Sequence, residues 1–225
     1  ETGGYLILVA TLVQAVLAGL LLILLPLACV GRDWPRGTAP RMGGYFMLLG
    51  LAFLFVEIAF IQKFILFLSH PLYAVAVVLA GFLVFAGLGS AFSETFSARL
   101  EVAGRSAVTV AVAGITAIAI LHVLLLPPVF ETLIGQPDAI RIVISIGLIA
   151  PLAFFMGMPF PLGLAHVAAE APAFIPWAWG INGFASVIAA VLATLLAIEL
   201  GFSVVIVVAL VLYGVAALLF GRGIC

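Results

Sequence analysis

Chemistry in this chain has to come from a handful of residues, and the first is Glu57, an acid inside the apolar run Gly50-Leu-Ala-Phe-Leu-Phe-Val-Glu57-Ile-Ala-Phe-Ile-Gln62-Lys63. A carboxylate near the middle of a membrane-spanning helix costs at least about 2.5 kcal/mol on insertion scales. It must be protonated, hydrated or paired. Lys63 does not pair with it along the helix: six residues turn the helix by about 240° and raise it by about 9 Å, so the two leave opposite sides. A partner for Glu57 has to come from another helix. Depth matching selects Gln14, which lies about 14 Å inside the outer end of the first apolar run against about 16 Å for Glu57 in the second. By the same count Lys63 lies about 8 Å down and snorkels toward Glu199. Two readings of these contacts stay open: polar clasps between helices worth about 0.6 kcal/mol each, or a cation or proton site centred on Glu57.

Further candidates for binding a ligand are Gln62, His70 and Asn182, beside Glu57, Gln14 and Lys63. The three histidines raise the metal and haem question, since imidazole is the commonest metal ligand. His70 and His122 fall near the outer boundary and read as a turn cap and a headgroup contact; His166 has Glu170 four residues on, one i,i+4 contact. There is no zinc spacing, no nucleophile elbow and no pair of catalytic carboxylates. No metal, cofactor or catalytic residue is expected in this chain.

The elements that must position these residues follow from composition. Of 225 residues, 67% are hydrophobic and 8% charged, against about 45–50% and about 25% in soluble domains. A water-soluble monomer is excluded. With eight Lys+Arg against nine Asp+Glu there is no basic field for nucleic acid. The partner is the lipid bilayer.

Charges and Pro/Gly clusters cut the chain into seven apolar runs, about 5–29, 43–68, 72–92, 107–126, 141–164, 177–200 and 202–220, each long enough to span. Hydrocarbon offers backbone groups no partners, so these runs are helices. The expected fold is an all-α polytopic bundle of seven spans in one transmembrane domain. Arg32, Arg36, Arg41, Arg99, Arg105 and Arg222 then share one side and only Lys63 and Arg141 lie near the other, which puts the N-terminus outside and the C-terminus in the cytoplasm. Cys29 and Cys225 both come out on the reducing side, so no disulfide is expected. Loops are expected at 30–42, 93–106 and 127–140, with tight hairpins at Ser69-His70-Pro71 and at Glu199 to Phe202. The fifth run is interrupted by Pro151, Pro159 and Pro161, each removing an amide donor. In the sixth, Asn182, Ser186, Ala190, Ala193 and Ala197 make a small, polar packing face. Ala76, Ala80, Gly87 and Ala91 in the third offer close approach, to an oligomer partner or to another membrane subunit. Trp177 and Trp179 read as interfacial anchors.

The chain opens Glu1-Thr2-Gly3-Gly4, without a methionine, which points to a piece or a processed product of something longer. No Lys or Arg precedes the first apolar run, and the run exceeds a signal-peptide core, so it reads as a membrane helix.

Several segments carry a resemblance. The Gly50-to-Lys63 run, then His70-Pro71, Gly87-Leu-Gly89-Ser90, Phe155-Met-Gly157-Met-Pro159-Phe-Pro161-Leu-Gly163, Pro176-Trp177-Ala-Trp179-Gly180-Ile-Asn182-Gly183 and Leu200-Gly201-Phe202-Ser203 resemble, in order, the membrane domain of multi-spanning spermidine synthase-like proteins. The resemblance covers about residues 43–215. It implies a helical domain joined to a soluble aminopropyltransferase-like partner domain of Rossmann type, with any such activity residing in that domain. This chain has no glycine-rich nucleotide turn after a strand, since Gly87-Leu-Gly89 ends an apolar helix. It also has Ser69 where the pattern has glycine before His-Pro. The expected function is a membrane domain of a bacterial inner membrane that anchors or assembles with that soluble partner and offers a polar site around Glu57. The rival readings are a structural subunit of a larger respiratory or photosynthetic complex and a polyamine or small-cation carrier.

Overall fold

Long apolar runs with no water to satisfy their peptide groups can close their hydrogen bonds only along the chain, and helices are what they form. The computed structural model describes residues 2–28 and 38–221, and among them there is no strand. The elements are α1 (Thr2–Gly19), a π-helical turn (Leu20–Leu24), α2 (Leu25–Ala28), α3 (Thr38–Leu68), α4 (Pro71–Val102), α5 (Ala107–Leu133), α6 (Asp138–Met156), α7 (Pro159–Glu170), a 3₁₀ turn (Pro172–Phe174), α8 (Ile175–Leu200) and α9 (Phe202–Gly221). They make seven stretches long and apolar enough to cross a membrane, as a multi-pass integral membrane protein requires. Cys29, Arg32, Arg36, Arg222 and Cys225 lie outside the described residues.

Three differences from the sequence expectation have physical reasons. The loop expected at 93–106 is helical as far as Val102, because its polar residues serve the helix: Ser93 returns its hydroxyl to the Ser90 carbonyl at 2.7 Å, Ser97 donates to Glu101 at 2.9 Å, and the Arg99 guanidinium lies 6.0 Å from the Phe92 ring centre. The loop expected at 127–140 is helical to Leu133. Two adjacent prolines delete two donors there without closing off the next turn, which Thr132 reinforces through the Pro128 carbonyl at 2.8 Å. The first run contains a wide π-turn just before Pro26, whose missing N–H leaves one carbonyl of the preceding turn unserved. The fifth run breaks as its prolines demand, with Gly157-Met158 separating α6 from α7.

The chain divides into two compact units, one formed by Glu1–Val56 with Gly163–Cys225, the other by Glu57–Leu162. In the first, α1 packs on α8 and α8 on α9. Gly19 admits the Phe184 ring, Gly180 admits Leu27, and Gly163 lies under the Tyr45 ring, which also meets Phe46 at 5.2 Å and Phe220 at 5.4 Å. On α8 the fully buried small residues are Ala178, Ala185, Ala189 and Ala193, so the packing seam meets the expected stripe at Ala193 and at the buried Ala197, while Asn182, Ser186 and Ala190 are half-buried.

In the second unit α4 packs chiefly on α6, and α5 on α6. The α4–α6 contact is backbone against backbone. A methyl group on Gly89 would come within 1.8 Å of the Phe154 carbonyl oxygen, and one on Gly157 within 2.0 Å of that of Ala86. The small residues Ala76, Ala80, Gly87 and Ala91 of the same helix are exposed. Close approach on α4 therefore uses the Gly89 face and leaves the alanine stripe free. An aromatic cluster fills the rest: Phe60 lies 5.6 Å from Phe82 edge to face, and Phe67 stacks on Phe130 at 4.4 Å.

Candidate functional site

Glu57 opens the second unit on α3, and only 6% of it is exposed. Val56 before it and Phe60 one turn after it are fully buried. The Phe60 ring meets Phe64, Phe82 and His122 at 5.8, 5.6 and 5.4 Å, so the turn that carries the acid is anchored by rings from α3, α4 and α5. Among the described residues the Glu57 carboxyl makes no hydrogen bond and no ion pair. A mostly buried acid with four lone-pair positions and no hydrogen bond to fill them calls for a proton, water or a cation.

The other candidate residues fall into different settings. Gln62 and Lys63 share α3 with Glu57 and are half-buried. Gln14 on α1 and Glu199 at the end of α8 are exposed. Neither Gln14 nor Lys63 takes a hydrogen bond or ion pair among the described residues. Asn182 belongs to the first unit and acts as a clasp: its Nδ2 donates to the Phe46 carbonyl at 3.0 Å. Gly50 makes that possible, since a methyl there would sit 2.5 Å from the Asn182 carbonyl oxygen.

His70 is exposed at the N-cap position of α4. Its side chain does not cap the helix: Nδ1 lies 2.8 Å from the Ser69 carbonyl oxygen, while the backbone carbonyl of His70 accepts from Ala74 at 3.0 Å. The expectation that His122 meets headgroups is corrected outright. The residue is 6% exposed, with Nδ1 2.7 Å from the Ile118 carbonyl oxygen and Nε2 2.8 Å from that of Leu148. Carbonyl oxygens only accept, so whichever ring nitrogen carries the proton donates, to Ile118 on α5 or to Leu148 on α6.

Sequence reasoning also missed the work of Arg141, which entered only as a positive charge in a topology count. Its side chain is 11% exposed; Nη1 donates to the Phe67 carbonyl at 2.7 Å and to Ser69 Oγ at 3.1 Å, and Nη2 donates to Asp138. A cation thus closes the C-terminal end of α3, where the helix dipole is negative. Ser69, which accepts one of these bonds, itself occupies the left-handed region with φ 62°, where glycine is favoured.

His166 on α7 approaches Glu170 at 3.3 Å and the Phe220 ring at 5.3 Å. No three of His, Cys, Asp and Glu gather in a metal-holding group among the described residues. The arrangement as a whole offers one buried acid without a partner, held in a helix whose neighbouring turn is fixed by aromatic packing. Comparison with family models, curated proteins and solved structures finds no match for this chain.

Proposed function

We propose that this chain is an integral membrane domain of the multi-spanning spermidine synthase-like type, which anchors or assembles with a soluble aminopropyltransferase-like domain and presents a cation-accepting polar site at Glu57. The order of motifs from Gly50 to Ser203 supports the first part. One observation carries the second: Glu57 is buried in α3 and nothing among the described residues answers its carboxyl. In lipid a lone acid at that depth is a functional feature before it is a structural one. A polyamine or small cation supplies the missing charge.

The arginine distribution favours an N-terminus outside and a C-terminus in the cytoplasm; in this reading the membrane is a bacterial inner membrane and the soluble partner lies on the cytoplasmic side. Two experiments test the proposal. Recovering the sequence on either side of this chain, or the partner that co-purifies with it, should reveal an aminopropyltransferase-like domain; a respiratory or photosynthetic assembly in its place overturns the reading. Labelled spermidine should bind the purified chain in detergent and be lost in Glu57→Gln, while Ser97→Ala keeps it.

A further inference from the structure

Gln14 is a polar residue where lipid should find none. It lies near the middle of the span Gly4–Ala28, its side chain is exposed, and it makes no hydrogen bond among the described residues. Thr11, one turn away, shows the ordinary solution, returning its hydroxyl to the Ile7 carbonyl at 2.8 Å. A primary amide brings two donors and an acceptor, and acyl chains answer none of them.

The residues of α1 that share its face are Ile7, Ala10 and Leu17, all exposed. With Gln14 they step three, four and three along the helix, the spacing of a coiled-coil seam. The opposite side of α1 is already used: Gly19 there receives the Phe184 ring of α8. We propose that the Gln14 seam docks α1 of a second copy of this chain, forming a two-fold dimer with its axis along the membrane normal.

Hydrogen-bond complementarity selects that occupant. The amide is self-complementary, each donor meeting the other's carbonyl. A two-fold axis along the membrane normal brings the two amides to one depth by symmetry, whereas an unrelated helix would need its own polar group at the same level. Ala10, one turn outward, lets the backbones approach, and a single polar seam position fixes the register.

The test uses the whole chain in bicelles, with self-association followed by fluorescence energy transfer. Gln14→Leu should raise the dimer dissociation constant about tenfold, and Gln14→Asn should largely restore it. In a second measurement, with Cys29 and Cys225 replaced by serine, Leu17→Cys on the seam should form an intermolecular disulfide far faster than Leu22→Cys off it. A chain that stays monomeric at all concentrations, associates equally well as Gln14→Leu, cross-links equally from Leu22→Cys, or joins only a different protein through this face overturns the proposal.

Discussion

Two helix contacts, one in each unit, solve the same packing problem by different means. In the Glu57–Leu162 unit, α4 and α6 approach until each helix's glycine faces the other's peptide carbonyl, at Gly89 and Gly157. Where the other unit holds its first span on α8, Gly19 of α1 and Gly180 of α8 face side chains instead, the Phe184 ring and Leu27 of α2, although Gly50 of α3 in that unit does face the Asn182 carbonyl. Side chains can turn aside; carbonyls inside a helix cannot. The contrast teaches that the first kind of contact sets a fixed distance between helices, as a buried polar site requires, while the second tolerates change. The acid and His122 both lie in the unit built on the fixed contact.

The sharpest way to break this comparison is to add a methyl group at each kind of glycine. Gly89→Ala and Gly157→Ala should each cost about 3 kcal/mol, since overpacking here displaces backbone. Unfolding of the purified chain in mixed micelles measures it. A smaller effect, about 2 kcal/mol, is expected for Arg141→Met, which leaves the Phe67 carbonyl without its charged donor; hydrogen exchange at the end of α3 should rise in the same variant.

Ser69 sharpens the picture further. Its left-handed backbone is steep for a β-branched residue, so Ser69→Val should be less stable than Ser69→Gly by about 1–2 kcal/mol. The glycine variant itself should stay near wild type, because backbone relief offsets the lost Arg141 contact. The smallest effects belong to the cushioned and open positions. Gly19→Ala should cost under about 1 kcal/mol as the Phe184 ring shifts, and Gly87→Ala, which meets nothing within 4 Å, should be neutral or gain a few tenths in helix propensity. If Gly19→Ala and Gly89→Ala cost the same, the distinction between the two helix contacts fails.

Much of this architecture was legible because hydrocarbon leaves the chain few options. Seven apolar runs had to be helices, and Pro159 had to end one and begin another. The helix ends were less legible: Glu94, Arg99 and Glu101 read as loop, yet charged residues extend a helix readily once it leaves the hydrocarbon. On α4, Gly89 and the exposed Ala76, Ala80, Gly87 and Ala91 look equally suited to close packing, and only the partner's shape chooses between them. Glu57 could be found because a lone acid in an apolar run is conspicuous. His122 could not be placed, because its partners are peptide carbonyls, which every residue possesses and no side-chain pattern announces. Asn182 was expected among the ligand-binding residues, and one donor of its amide goes to the Phe46 carbonyl, a partner no side-chain pattern announces.

Calorimetric titration of spermidine into the purified wild-type chain and into Glu57→Gln, with matched unfolding midpoints as the check on folding, addresses the buried acid most directly. Saturable binding to wild type that disappears in the variant is the predicted result. Equal binding by both, or none by either, contradicts the assignment of Glu57 as the cation-accepting group.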